Sequence, residues 1–127
     1  MYKRQVFHKR RGVCQDYAHL LIACLRSAGL AARYVSGYLH TNAGGSPAAE
    51  REGGDASHAW VAVFAPPFGW VELDPTNNLR VQQDHVALAW GRDFSDVSPL
   101  RGVIVGGGSH TLSVHVTVQA LEAPAPA

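Results

Sequence analysis

The chain has 127 residues, 46% hydrophobic and 17% charged, which suits one globular domain around one core. A net charge of +1 and a pI near 7.9 give no general attraction to nucleic acid or to an anionic membrane. No apolar run approaches the ~20 residues of a membrane-spanning helix, and the stretch Met1 to Gly12 lacks the apolar segment of a signal peptide.

The first element is charged. Lys3, Arg4, Lys9, Arg10 and Arg11 crowd residues 1–11, which read as a solvated basic arm rather than an RNA-binding one. Cys14, Tyr17, Ala18, Leu21, Ile22 and Leu25 then fall at helical spacing, and Gly29 supplies a stop. This predicts a largely buried helix over 14–28 with Cys14 in its first turn. The two cysteines, Cys14 and Cys24, would sit about 15 Å apart along it. A disulfide needs less than about 7 Å, so both are expected as free thiols, in a reducing, cytoplasmic setting.

Ala32 to His40 is rich in β-branched and aromatic residues and predicts a strand. Thr41 to Ser57 has Gly, Pro and small polar residues without periodicity and predicts a long flexible loop near a site. His58 to Phe64 and Trp70 to Asp74 predict a hairpin across Ala65-Pro66-Pro67-Phe68-Gly69. His85 to Trp90 is read as a further strand, and Asp93 to Val105 as turns. Thr111 to Val118 alternates and predicts a strand with Leu112, Val114, Val116 and Val118 facing the core. Residues 120–127 read as a disordered tail. One early helix followed by mostly antiparallel strands gives an α+β class, helix packed on sheet.

Three residues could make a reactive site. A thiol at a helix N-terminus feels the positive end of the macrodipole, which favours the nucleophilic thiolate; the plain alternative is that Cys14 is a small core hydrophobe. In the hairpin, Ala62 opposite Trp70 puts His58 opposite Asp74 and Trp60 opposite Glu72. An aspartate there can fix the imidazole tautomer and leave its other nitrogen for a thiol. The plain alternative is a modest cross-strand charge pair. A one-residue slip would put the two on opposite faces. Together Cys14, His58 and Asp74 would supply nucleophile, base and orienter.

The strings Gly12-Val13-Cys14-Gln15-Asp16-Tyr17-Ala18, Ala56-Ser57-His58-Ala59-Trp60 and Trp70-Val71-Glu72-Leu73-Asp74-Pro75-Thr76 resemble the transglutaminase-like superfamily. Ala32 to Tyr38 and Gly91 to Val97 resemble its bacterial branch. The resemblance runs from Arg11 to Val118 and implies a papain-like core, with the cysteine on a helix and the histidine and aspartate on adjacent strands. It implies acyl transfer through a thioester on Cys14, proton transfer by His58 and orientation by Asp74. Bacterial members usually carry more sequence before the cysteine, so residues 1–127 resemble a single catalytic core without its front portion. The expectation is a homo-oligomer in which a second copy covers an exposed apolar face of the helix.

Other residues are weighed more plainly. Trp60 shares a strand face with His58 and could wall a substrate site or fill core, core being favoured. Asp16 and His19 suit a helix-surface pair or cap, Arg92 and Asp93 a structural turn. The Gln15 side chain is not assigned an oxyanion role. His8, His19, His40, His58, His85, His110 and His115 are scattered, without metal-ligand spacing, and the glycine run before Ser109 lacks a phosphate-loop pattern. No cofactor or metal is expected.

The function expected is thiol-dependent acyl transfer or hydrolysis at an amide bond of a peptide or protein, with no nucleic-acid or membrane partner. The alternative is a weakly active or inactive binding module on the same fold. A redox sensor is ranked last, because Cys24 lies too far from Cys14 to resolve it.

Overall fold

The computed structural model describes residues 3–40, 56–99, 101–103, 105–109, 111 and 113–119. Lys3–Lys9 form a short helix, α1, where the charge pattern had suggested a solvated arm. Val6 anchors it: the residue is 4% exposed, and a side chain on Gly12 would strike its methyl group. Among the described residues here only Val6 is buried, and adjacent Phe7 is exposed, so no hydrophobic period registers among the five basic residues.

Helix α2 spans Cys14–Ser27. Ala18 and Ile22 are buried on the predicted stripe, and Cys14, Leu21 and Leu25 pack on the same cluster. Asp16 reaches back to accept the Val13 N–H at 3.1 Å, so an acidic group satisfies an orphan donor at the positive helix end. At the other end Leu30 N–H bonds Leu25 O and Gly29 N–H bonds Arg26 O, each at 3.0 Å, with Gly29 at φ 79°. This is a Schellman stop, which needs the left-handed backbone that glycine adopts without penalty.

Five antiparallel strands follow: β1 Ala32–Leu39, β2 His58–Phe64, β3 Trp70–Asp74, β4 Leu79–Arg80 and β5 His85–Gly91, in the order β4-β3-β2-β1-β5. The central strand β2 is buried from His58 to Val63. Its odd-numbered residues Ala59 and Val61 join Ala32 and Tyr34 against α2, while Trp60 and Ala62 form a second cluster with Val35 and Val81. A strand packed on both faces reads as a continuous apolar run rather than an alternation. The α+β expectation therefore holds, with helix on antiparallel sheet.

The hairpin register is Val61↔Leu73, Ala62↔Glu72 and Phe64↔Trp70, two residues from the pairing predicted. The turn is tighter than expected: Ala65 N–H bonds Gly69 O and Phe68 N–H bonds Ala65 O, each at 2.8 Å. Side chains alternate with period two, so a slip of two keeps every residue on its predicted face and makes His58 and Asp74 diagonal neighbours instead of opposed ones.

The sheet also bends. The β1–β5 register shifts between Ser36 and Gly37, and a Cβ on Gly37 would collide with the Val86 carbonyl and the Trp60 ring. A bulge beside a glycine lets β5 fold over the Trp60 side of the sheet. Arg26 fastens the far end by donating to Ala32 O and Arg92 O, each at 2.8 Å. In the turn after β5, Asp93 accepts from Ser95 N–H at 2.8 Å and Asp96 holds Arg92, the structural role expected of that motif.

One further expectation changes. Residues 111 and 113–118 form no strand, and Val114 is 62% exposed, while Leu112 lies outside the described residues. Alternation makes one side of a strand apolar, but a strand also needs a partner edge for its N–H and C=O groups, and none of the described residues supplies one there. Among the described residues, large exposed apolar side chains occur on the sheet, at Phe64, Trp70, Leu88 and Trp90, and off it, at Phe7, Val13, Phe68, Val103 and Val105. The predicted loop and tail, residues 41–55 and 120–127, lie outside the described residues.

Candidate active site

Cys14 is the first residue of α2, where the helix geometry leaves its N–H and that of Gln15 without intrahelical acceptors. Asp16 N–H and Tyr17 N–H both turn to Val13 O, at 2.9 and 3.2 Å. Cys14, Gln15, Tyr34, Ser36 and His58 wall one pocket of about 390 Å³. The end of β2 thus brings His58 to the helix end that carries the thiol, although 44 positions separate them in the chain.

His58 is 1% exposed and its Nε2 lies 2.7 Å from Asp74 Oδ2. Asp74 is equally buried, at the end of β3. Its Oδ1 accepts the N–H groups of Thr76 and Asn77 at 3.0 and 3.1 Å, and its Oδ2 also accepts from the Asn77 amide at 2.8 Å. A further imidazole, His85 Nε2, stands 3.1 Å from the same Oδ2. Burial alone would push Asp74 up, but the hydrogen bonds from His58, His85 and Asn77 outweigh it and hold the carboxyl well below its usual range. Burial likewise works against a charged His58. The hydrogen bond to Asp74, then the neighbouring Cys14, overcome it and raise the imidazole from 6.5 to about 9. Both contacts favour the charged form of His58. Burial, with Cys14 and Asp16 nearby, pushes the Tyr34 phenol upward, so it remains a neutral hydroxyl in the pocket wall.

The remaining assignments sort by place. Trp60 is fully buried in the second cluster, away from the pocket wall, and donates to Glu72 at 2.7 Å, so it fills core rather than meeting substrate. Asp16 caps α2, and His19 accepts the Phe94 N–H at 3.2 Å. Cys24 is a free, exposed thiol on the solvent side of α2, not a core residue. His58, Asp74 and His85 bring one ligand atom each within 4.8 Å, the one such group among the described residues. Both imidazoles already sit at hydrogen-bond distance from one oxygen, so this is a closed donor–acceptor network rather than a cage of ion size.

His85 and Asn77 escaped sequence reasoning. Asn77 follows Asp74 closely enough that an Asx-type turn could have been suspected. His85 gave no signal, because its contact joins β5 to β3, strands with β1 and β2 between them in the sheet.

A helix packed on an antiparallel sheet, with Cys14 and His58 lining one pocket, fits the α+β papain-like fold class. Residues 3–75 match the profile of the transglutaminase-like superfamily, and the chain belongs to that superfamily. Uncharacterised proteins of Mycobacterium tuberculosis and Mycobacterium leprae are 46% and 42% identical to it, over 95% and 90% of this chain. The chain spans about 40% of the length of these relatives. A protein-glutamine gamma-glutamyltransferase of Pseudomonas aeruginosa is 34% identical over 76% of this chain and 15% of its own length. The crystal structure of a candidate cysteine protease from Cytophaga hutchinsonii superposes with a TM-score of 0.58 at 29% identity, covering 76% of this chain and 29% of that one. Among the described residues no helix is long and apolar enough to cross a membrane.

Proposed function

We propose that the site performs acyl transfer at an amide bond of a peptide or protein, with Cys14 as nucleophile, His58 as acid and base, and Asp74 as orienter. The observation that supports this most is the shared pocket: Cys14 and His58 line it together, and His58 is bonded to Asp74 at 2.7 Å.

The proposed reaction runs through a thioester on Cys14. The Cys14 sulfur bonds to the acyl carbon, and the carbonyl oxygen gains charge beside the Cys14 and Gln15 N–H groups at the helix end. The C–N bond breaks as His58 gives its proton to the departing amine. The acyl group now sits on Cys14 as a thioester. Water or a second amine attacks it, its proton passes to His58, and the sulfur leaves. Water gives hydrolysis and an amine gives transfer. Asp74 stays ionised throughout, because its other hydrogen bonds hold its charge and its direction.

The test is the alkylation rate of Cys14 by iodoacetamide at pH 7, read by peptide mass so that Cys24 is scored separately. The expected result is rapid labelling of Cys14 that falls roughly tenfold or more in His58→Ala, with Cys24 unchanged. If Cys14 is inert, or reacts alike in both proteins, the constellation is not a working site. A binding module on the same fold would then be the better reading.

A further inference from the structure

We propose that His85 is a positioning residue for the Cys14–His58 pair: it donates to the same Asp74 oxygen as His58, fixing the carboxylate and sharing the charge that His58 faces. This rests on the acyl-transfer reading of the site.

Three observations carry it. The first is crowding at one atom. Asp74 Oδ2 has His58 Nε2 at 2.7 Å, the Asn77 amide at 2.8 Å and His85 Nε2 at 3.1 Å. A carboxylate oxygen offers about two lone-pair positions, so three donors compete for it. A change in one bond must alter the others. The second is burial. The side chains of His85, His58 and Asp74 are all 0% exposed, so no water can stand in for a lost donor without a change of structure.

The third is where His85 comes from. It opens β5 and pairs with Leu39 of β1, whereas Asp74 ends β3. Their hydrogen bond spans the width of the bent sheet, over the Trp60 ring, which meets the His85 ring edge-on at 5.1 Å. The other edge of the network is Trp60 donating to Glu72. The place of Asp74 is therefore set from both sides: by the β2–β3 ladder and by His85. The His85 Nδ1 is buried and makes no hydrogen bond among the described residues, so the ring's polar contact there is with Asp74.

The groups facing His58 are Cys14 from α2, Asp74 from β3 and the His85 ring, 6.2 Å away, from β5. Cys14 and Asp74 both favour its charged form. A donor that takes part of Asp74's negative charge tempers that preference. Such tempering serves a group that must both give and accept a proton.

The experiment measures the pH profile of Cys14 alkylation from pH 5 to 10, with urea unfolding of each variant to confirm folding. Four variants are used: His58→Ala, His85→Phe, His85→Asn and His85→Gln. Phenylalanine keeps the ring against Trp60 but has no donor. Asparagine has a donor too short to reach Asp74, and glutamine places one near the Nε2 position. The expected result is that His85→Phe and His85→Asn move the alkaline limb assigned to His58 upward by roughly half to one pH unit, the size of one hydrogen bond. His85→Gln returns it toward the parent. If the phenylalanine variant does not fold, the Asn–Gln comparison decides alone. An unmoved or lowered limb, or a rise that glutamine fails to reverse, overturns the role of His85 while leaving the triad intact. If His58→Ala leaves the parent profile unchanged, the acyl-transfer reading fails and this inference fails with it.

Discussion

β2 and the stretch 111–118 have similar claims to be strands on paper, and the fold treats them in opposite ways. His58-Ala59-Trp60-Val61-Ala62-Val63 is central, paired on both edges and buried on both faces. Thr111 to Val118 has the cleaner alternation, yet its described residues pair with nothing and Val114 is largely exposed. The difference teaches that alternation records only which side chains would share a face. What makes a strand is a neighbour with unpaired N–H and C=O groups, and that neighbour is a property of the whole topology. β2 lies between two such neighbours and carries core and proposed chemistry together.

The largest effect that could sharpen this contrast is Trp60→Ala. Removing a fully buried indole from the second cluster should cost about 3–5 kcal/mol in urea unfolding. It should also disturb His58 and His85, whose rings lie 6.0 and 5.1 Å from it. A loss below about 1 kcal/mol would mean that β2 is not packed on that face.

The next effect is a pH dependence. The folded His58 value of about 9 lies above its ordinary 6.5, so the stabilisation is complete below about pH 6.5 and is lost as pH rises through about 9. Asp74 runs the other way: its depressed value gives stability above its ordinary 3.8 that fades only as the solution becomes strongly acidic. The urea midpoint should therefore fall between pH 7 and 10, and His58→Gln should flatten that stretch. A parent midpoint that is level across that range would show that the pair is not formed.

The smallest effect is expected at the other region. Val114→Ser should change stability by no more than about 0.5 kcal/mol, as for an exposed site without special contacts. A loss of about 2 kcal/mol there would show that the alternating stretch is packed after all and would erase the comparison.

These contrasts also mark how far the sequence could be read. Helix α2 was legible because Cys14, Ala18, Ile22 and Leu25 keep one period, and Gly29 supplies the left-handed stop. The β2–β3 hairpin was legible in its ends and faces. Its register was not, because Pro66 and Pro67 allow more than one turn length, and two registers differing by two residues satisfy the same face pattern. The residues expected to be catalytic lie together because the face assignment survives that slip. What stayed hidden was long-range. Val6 gave no period, the described residues of 111–118 pair with no described edge, which no local pattern could report, and His85 meets Asp74 only after the sheet has bent at Gly37.

That last contact bears on how the protein is made. Synthesis runs from the N-terminus, so Cys14 emerges long before His58, Asp74 and His85. The pairings that bring them together are non-local, and such contacts close late, after the chain entropy of the intervening loops has been overcome. On the ribosome the thiol has none of its partners, and the last of them cannot arrive until residue 85 has been added and β5 has folded over. On the proposed reading, a nascent or half-folded copy would carry the nucleophile without the means to use it, and competence would appear as a late, cooperative event of folding.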